Sequence, residues 1–133
     1  MILNHCFVPV SDSEAALVFY RDLLGYEVRN DVKYEGNRWL TLVSPDQPEV
    51  QVVLETVGAG PDLSDEDRET MKRLLAKGVL ARFLFASKDL EATYATLVEG
   101  GADIVQPIQA QDWGATDLAV RDPSGNLLRI SQV

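Results

Sequence analysis

The sequence predicts an α+β fold: two β-α-β-β-β modules whose eight strands form a strongly curved mixed sheet around a concave cavity. Three observations predict it. The order strand, helix, strand, strand, strand occurs twice along the chain. The two copies register on their own residues: His5 lies seven positions before Asp12 at one helix start, and Arg82 lies seven before Asp89 at the other. Both helices close on glycine, in Leu24-Gly25-Tyr26-Glu27-Val28 and in Gly101-Ala102-Asp103-Ile104-Val105.

The elements follow in order. Ile2 to Val10 is apolar and rich in strand formers. Ser11-Asp12-Ser13-Glu14 opens a helix, because short polar side chains cap free amides and acids suit the positive helix end. Ala15, Ala16, Phe19, Tyr20, Leu23 and Leu24 then recur at helical spacing. Strands are expected near Tyr26–Val32, Arg38–Val43 and Val50–Thr56, separated by turn formers at 35–37 and 45–48. Gly58-Ala-Gly-Pro61 interrupts the pattern, and the charged stretch Asp62–Lys77 is helical. The plan then restarts with a strand at Val79–Ala86, a helix from Ser87 to about Glu99, and strands near Ala102–Ile108, Thr116–Arg121 and Asn126–Gln132. Residues 1–133 thus read as a single domain, made of a module at 1–57, a helical linker at 58–78 and a module at 79–133.

At 133 residues the chain buries a sizeable core without staples. Its one cysteine, Cys6, excludes an intrachain disulfide and a thiolate zinc site, and suggests a reducing compartment. Within its apolar strand Cys6 reads as a buried, inert thiol. A formal net charge of -9 opposes nucleic acid and anionic membrane surfaces as partners. The chain has no apolar run long enough for a membrane span and no leader-like amino terminus, so a cytoplasmic location is expected. There is no Gly-rich phosphate loop and no serine or cysteine nucleophile motif.

Alternation along the strands assigns faces. Cys6 and Val8 oppose His5 and Phe7. Val52 and Leu54 oppose Gln51, Val53 and Glu55. Phe83 and Phe85 oppose Arg82 and Leu84, and Leu128 and Ile130 oppose Leu127, Arg129 and Ser131. Each of these strands has one apolar face for packing on a helix. Each also has an opposite face carrying one ionisable residue among apolar neighbours: His5, Glu55, Arg82 and Arg129. Trp39 shares a face with Thr41 and Val43, and suits stacking on a planar ligand. Trp113 lies in a loop before the seventh strand. The expected hollow is therefore lined by His5, Phe7, Trp39, Val53, Glu55, Arg82, Trp113, Leu127 and Arg129. Tyr20, Phe83 and Phe85 are expected in the core, and Arg21 and Asp22 on a solvated face.

The paired modules, FYRDLLGYEV at 19–28 and VRDPSGNLLRI at 120–130 resemble the vicinal oxygen chelate superfamily. That group includes glyoxalases, extradiol dioxygenases and bleomycin resistance proteins. The resemblance covers essentially the whole chain, and WGATDLAVRDPSGN at 113–126 looks most like the glyoxalase/bleomycin-resistance branch. It implies a small-molecule site in the hollow and a homodimer, in which modules often pair across chains. Metal-using members hold His or Glu ligands on the first, fourth, fifth and eighth strands. Here His5 and Glu55 would match two of these, while Arg82 and Arg129 fall on the others. A guanidinium has no lone pair for a cation, so no metal and no cofactor are expected.

Two functions follow from that resemblance. One is a metal-free binding protein of the bleomycin-resistance type, sequestering a small amphipathic or cationic compound. The other is a glyoxalase-like enzyme (lyase, isomerase or dioxygenase-related) with His5, Glu55 and Arg129 as catalytic groups. It would use Arg82 and Arg129 electrostatically, or an atypical metal site at His5 and Glu55. Arg129 is expected either to meet a ligand anion or to pair with Glu55.

Overall fold

The computed structural model describes residues 1–133. The first module holds β1 (His5–Val10), α1 (Ser13–Leu17), β2 (Glu27–Tyr34), β3 (Asn37–Ser44) and β4 (Gln47–Thr56). The linker carries α2 (Asp65–Ala76). The second module holds β5 (Arg82–Ser87), α3 (Leu90–Glu99), β6 (Asp103–Ala110), β7 (Thr116–Arg121) and β8 (Leu127–Gln132). The eight strands divide into two mixed four-stranded sheets, ordered β1-β4-β3-β2 and β5-β8-β7-β6. The expected α+β fold of two β-α-β-β-β modules is thus observed. No helix is long and apolar enough to cross a membrane.

The helix ends follow the local sequence. The Asp12 carboxylate accepts from the amides of Glu14 and Ala15 at the start of α1. Ser64 caps α2 through the Asp67 amide, and Asp65, Glu66 and Asp67 then face the positive end of that helix. Asp89 caps α3 through the Ala92 amide. Beyond Leu17 the first helix widens into a π-helical segment (Val18–Leu23), with the Leu24 amide donating to the Phe19 carbonyl. Gly25 then leaves it at a φ of 78°. Strand ends depart from expectation by a few residues. β1 starts at His5 rather than Ile2, and β4 starts at Gln47 rather than Val50, because Pro45-Asp46 closes a tight hairpin between Ser44 and Gln47.

One core serves both modules. It gathers Val8, Val10, Leu40, Leu42, Val52 and Leu54 from the first sheet, and Leu118, Val120, Leu128 and Ile130 from the second. Leu17, Phe19 and Tyr20 join it from the first helix, and Leu90 and Leu97 from α3. Phe83 and Phe85 pack against its margin. Cys6 is only half-buried, short of the full burial expected.

The modules are clamped by the DPSGN turn. The Asp122 carboxylate accepts from the amides of Ser124, Gly125 and Asn126 at 2.9–3.0 Å, from the Tyr20 hydroxyl at 2.7 Å and from Asn126 Nδ2 at 2.8 Å. Asn126 Nδ2 also reaches the Pro9 carbonyl at 2.8 Å. Ser11 donates to Ser124 Oγ through both its amide and its hydroxyl. Burial, and then the Asp122 charge and hydrogen bond, raise the Tyr20 hydroxyl well above its ordinary pKa of 10.0.

This arrangement decides where the open faces lie. Both sheets turn their apolar faces to the shared core, and no strand of one sheet packs along a strand of the other. The opposite faces therefore point outward, on two sides of the chain.

Candidate functional site

The open face of the first sheet carries His5 and Phe7 on β1, Trp39 on β3, and Val53 and Glu55 on β4. Trp39 is the centre of an aromatic group: its ring lies 5.9 Å from His5 and 6.3 Å, edge to face, from Phe7. Phe7 remains 48% exposed and Trp39 43%, so these rings contact one another and still present surface to solvent. Beneath them Val53 is level with Phe7 on one side and Thr41 on the other, and is fully buried. Asn30 Nδ2 donates to Thr41 Oγ1 at 3.0 Å, fixing the polar floor beside them. A half-open groove of about 730 Å³ runs along the outer end of this face, lined by Val32, Tyr34, Trp39, Glu55, Arg68 and Lys72 among others. Trp39 and Glu55 thus meet in one groove. Arg38, at its edge, is taken by Asp31 at 2.8 Å and Glu14 at 2.6 Å.

The open face of the second sheet carries Arg82, Leu84, Leu127, Arg129 and Asp117. Arg129 on β8 donates through Nη1 to Asp117 Oδ2 on β7 at 3.0 Å, and to Gln106 Oε1 at 3.4 Å. Asp117 Oδ1 accepts from Gln111 at 2.7 Å and Gln106 at 3.2 Å. Asp117 is 4% exposed, and burial alone pushes its carboxyl up. The hydrogen bonds from Gln111, Gln106 and Arg129 outweigh that burial and hold its pKa below the ordinary value. Arg129 therefore pairs with Asp117, and the expected alternative of Glu55 as its partner is overturned: Glu55 belongs to the other sheet. Trp113 stands at the rim, 70% exposed, in a loop tied to this network through Gln111.

Strand register shows which residues stand level with the four ionisable ones. On β4 the residue level with His5 is Gln51, while Glu55 is level with Pro9. On β8 the residue level with Arg82 is Leu127, while Arg129 is level with Leu84. By the repeat, Arg129 matches Val53 and not Glu55. The cradle positions that the resemblance implies, His5 and Glu55 with Arg82 and Arg129, divide between the two sheets. One imidazole, one carboxylate and two guanidinium groups, which have no lone pair to offer, do not fit a divalent cation. No three His, Cys, Asp or Glu side chains come together as a possible metal site.

Asp117, Gln106 and Gln111 were not expected from the sequence. Alternation applied to the seventh strand finds Asp117, since Leu118 and Val120 are core residues and Asp117 must face the other way. Gln111 has no such signal, because it acts from a loop. A second groove of about 500 Å³ between the modules, lined by Tyr26, Ser44, Phe85 and Thr93 among others, contains none of the expected site residues.

Comparison with known proteins agrees with this architecture. The chain is 33% identical over 125 residues to the uncharacterized protein YurT of Bacillus subtilis (strain 168), covering 92% of each. Its fold is similar to that of UcmS2, at 36% identity and a TM-score of 0.87, over 98% of this chain and 97% of that one. It is also similar to TnmS3, an antibiotic binding protein from Streptomyces sp. CB03234, at 26% identity and a TM-score of 0.76, over 99% and 95% of the two chains. Residues 2–130 match the family model. The chain belongs to the Glyoxalase/Bleomycin resistance protein/Dioxygenase superfamily.

Proposed function

We propose that this protein is a metal-free small-molecule binding protein that sequesters a planar, largely apolar ligand against the open faces of its sheets. The observation that carries the reading is the exposed aromatic group of His5, Phe7 and Trp39 on a rigid sheet. Aromatic side chains left uncovered on a scaffold supply contact area at low entropy cost, as a stacking platform needs. Similarity to an antibiotic binding protein supports the same class.

The working unit is a homodimer. Each open face is one wall of a chamber, and the two walls of one chain point away from each other. On the second sheet Leu84 is 86% exposed, a large side chain at the middle of a strand with nothing over it. A second copy that lays its β5–β8 face over β1–β4 buries Leu84 and Phe7 together. It also joins Trp39 to Arg82, Leu127 and Arg129 in one enclosure.

The test is a tryptophan-fluorescence titration with 2-naphthamide, a neutral planar probe. Saturable quenching at one site per chain, lost in Trp39→Ala, is expected. Only non-saturating quenching, unchanged in Trp39→Ala, would remove the reading.

A further inference from the structure

The open face of the second sheet has a charge that the composition does not suggest. The chain carries 21 acids against 12 lysines and arginines, so its surface is acidic on average. Arg38 takes two carboxylates and Arg21 pairs with Asp22. Arg82 makes no hydrogen bond and no ion pair, and it is exposed beside Leu84 and Leu127. Arg129 spends only Nη1, on Asp117 and Gln106, so its Nε and Nη2 have no partner and its side chain stays 35% exposed. The buried acid of this face, Asp117, is committed to Arg129 and two amides.

Arg82 is level with Leu127 and Arg129 with Leu84, so the two arginines are diagonal neighbours on adjacent strands of one face. Strands about 4.8 Å apart with a rise of about 3.3 Å per residue put such neighbours about 8 Å apart at the backbone, within reach of one small anion for side chains this long. Arg82, Arg129 and Asp117 together carry one surplus positive charge. At physiological salt the rest of the chain's -9 is screened beyond about 8 Å, so the local sign decides which ligand group settles there.

Resting on the binding reading above, we infer that Arg82 and the free edge of Arg129 form an anion subsite, so the ligand is a planar aromatic acid rather than a cation. Its carboxylate, or an acidic phenol of the same charge, accepts from the guanidinium groups while its rings cover the apolar side chains. The net charge of the chain, which favours cations at long range, is the wrong guide at contact distance. Asp117, Gln106 and Gln111 are positioning residues: they fix the Arg129 plane and leave its outer edge to the ligand.

The experiment compares 2-naphthoate with 2-naphthamide, which share a ring system and differ in charge, by calorimetric titration of the full chain. The acid is expected to bind about tenfold or more tightly, the range of a charge-assisted hydrogen bond. Arg82→Gln is expected to bring the two within about twofold by weakening the acid alone, and Arg82→Lys to keep part of the preference. Arg82 has no partner in the fold, so its variants remain folded. Equal binding of both probes by the wild type would overturn the anion subsite and leave the binding reading standing. An acid preference that survives in Arg82→Gln would overturn the role of Arg82. Failure of both probes to bind would overturn both readings.

Discussion

Arg129 on β8 and Asp117 on β7 form an ion pair at 3.0 Å, and Gln106 and Gln111 occupy the other carboxylate oxygen. The pair sits on the open face, with the acid buried and the arginine half-covered. Its first consequence concerns stability. Asp117→Ala leaves one guanidinium and two amides without their acceptor, and is expected to lower unfolding stability by about 1–3 kcal/mol. A urea titration at neutral pH measures it.

The pair also has a pH signature. The Asp117 carboxyl is held below its ordinary value, so the folded state binds the proton less well than the unfolded chain. Its contribution is therefore complete above the unfolded value of about 3.9 and is lost as pH falls through the lower folded value. Urea midpoints of the wild type and Asp117→Asn are expected to differ at neutral pH and to converge below about pH 4.

Tyr20 gives the opposite window. Its hydroxyl is raised in the folded state, first by burial and then by Asp122. The stability it supplies is complete below the unfolded value of about 10 and is lost as pH rises beyond it. Wild-type stability is expected to fall above about pH 10, and Tyr20→Phe to weaken that fall. Asp122→Ala, which removes the carboxylate that five donors share, is expected to be among the most damaging single changes, at about 3 kcal/mol or more.

Gly125 joins the linker helix to the second module. Its φ is 109°, and a Cβ there meets the Leu75 carbonyl oxygen at 2.5 Å. Gly125→Ala is expected to lose about 1–3 kcal/mol from the backbone alone, with a further loss from displacing the end of α2. Thermal unfolding monitored by circular dichroism tests this.

Leu84 tests the dimer. A carboxylate at an exposed position of a lone chain changes little, whereas one buried in an interface without a partner is strongly unfavourable. Sedimentation equilibrium is expected to give a dimer for the wild type and a monomer for a folded Leu84→Glu. A wild-type monomer would remove the two-chain chamber.

The sequence made the repeat legible because helix caps, closing glycines and strand alternation are local signals. Alternation also placed His5, Phe7, Trp39, Val53, Glu55, Arg82, Leu127 and Arg129 on open faces. It left two things unread. Register between strands is set by hairpin length and sheet pairing, so sequence spacing does not show that Gln51 stands level with His5 and Leu127 with Arg82. The relation of the two sheets comes from the shared core at Tyr20, Leu97 and Leu128, and no single strand carries that information. Glu55 looked a natural partner for Arg129 only while the two faces were assumed to meet within one chain.

The most direct test of the account mixes two damaged proteins. Trp39→Ala removes the aromatic wall from the first module, and Arg82→Gln removes the cation from the second. In a dimer of one chain of each, one chamber carries both defects and the other is intact. After denaturation and co-refolding, random pairing makes about half the dimers mixed. Calorimetry with 2-naphthoate is then expected to recover about one tight site per four chains, although neither variant alone binds tightly. No recovery on mixing, with both variants dimeric, would contradict a chamber built from two copies.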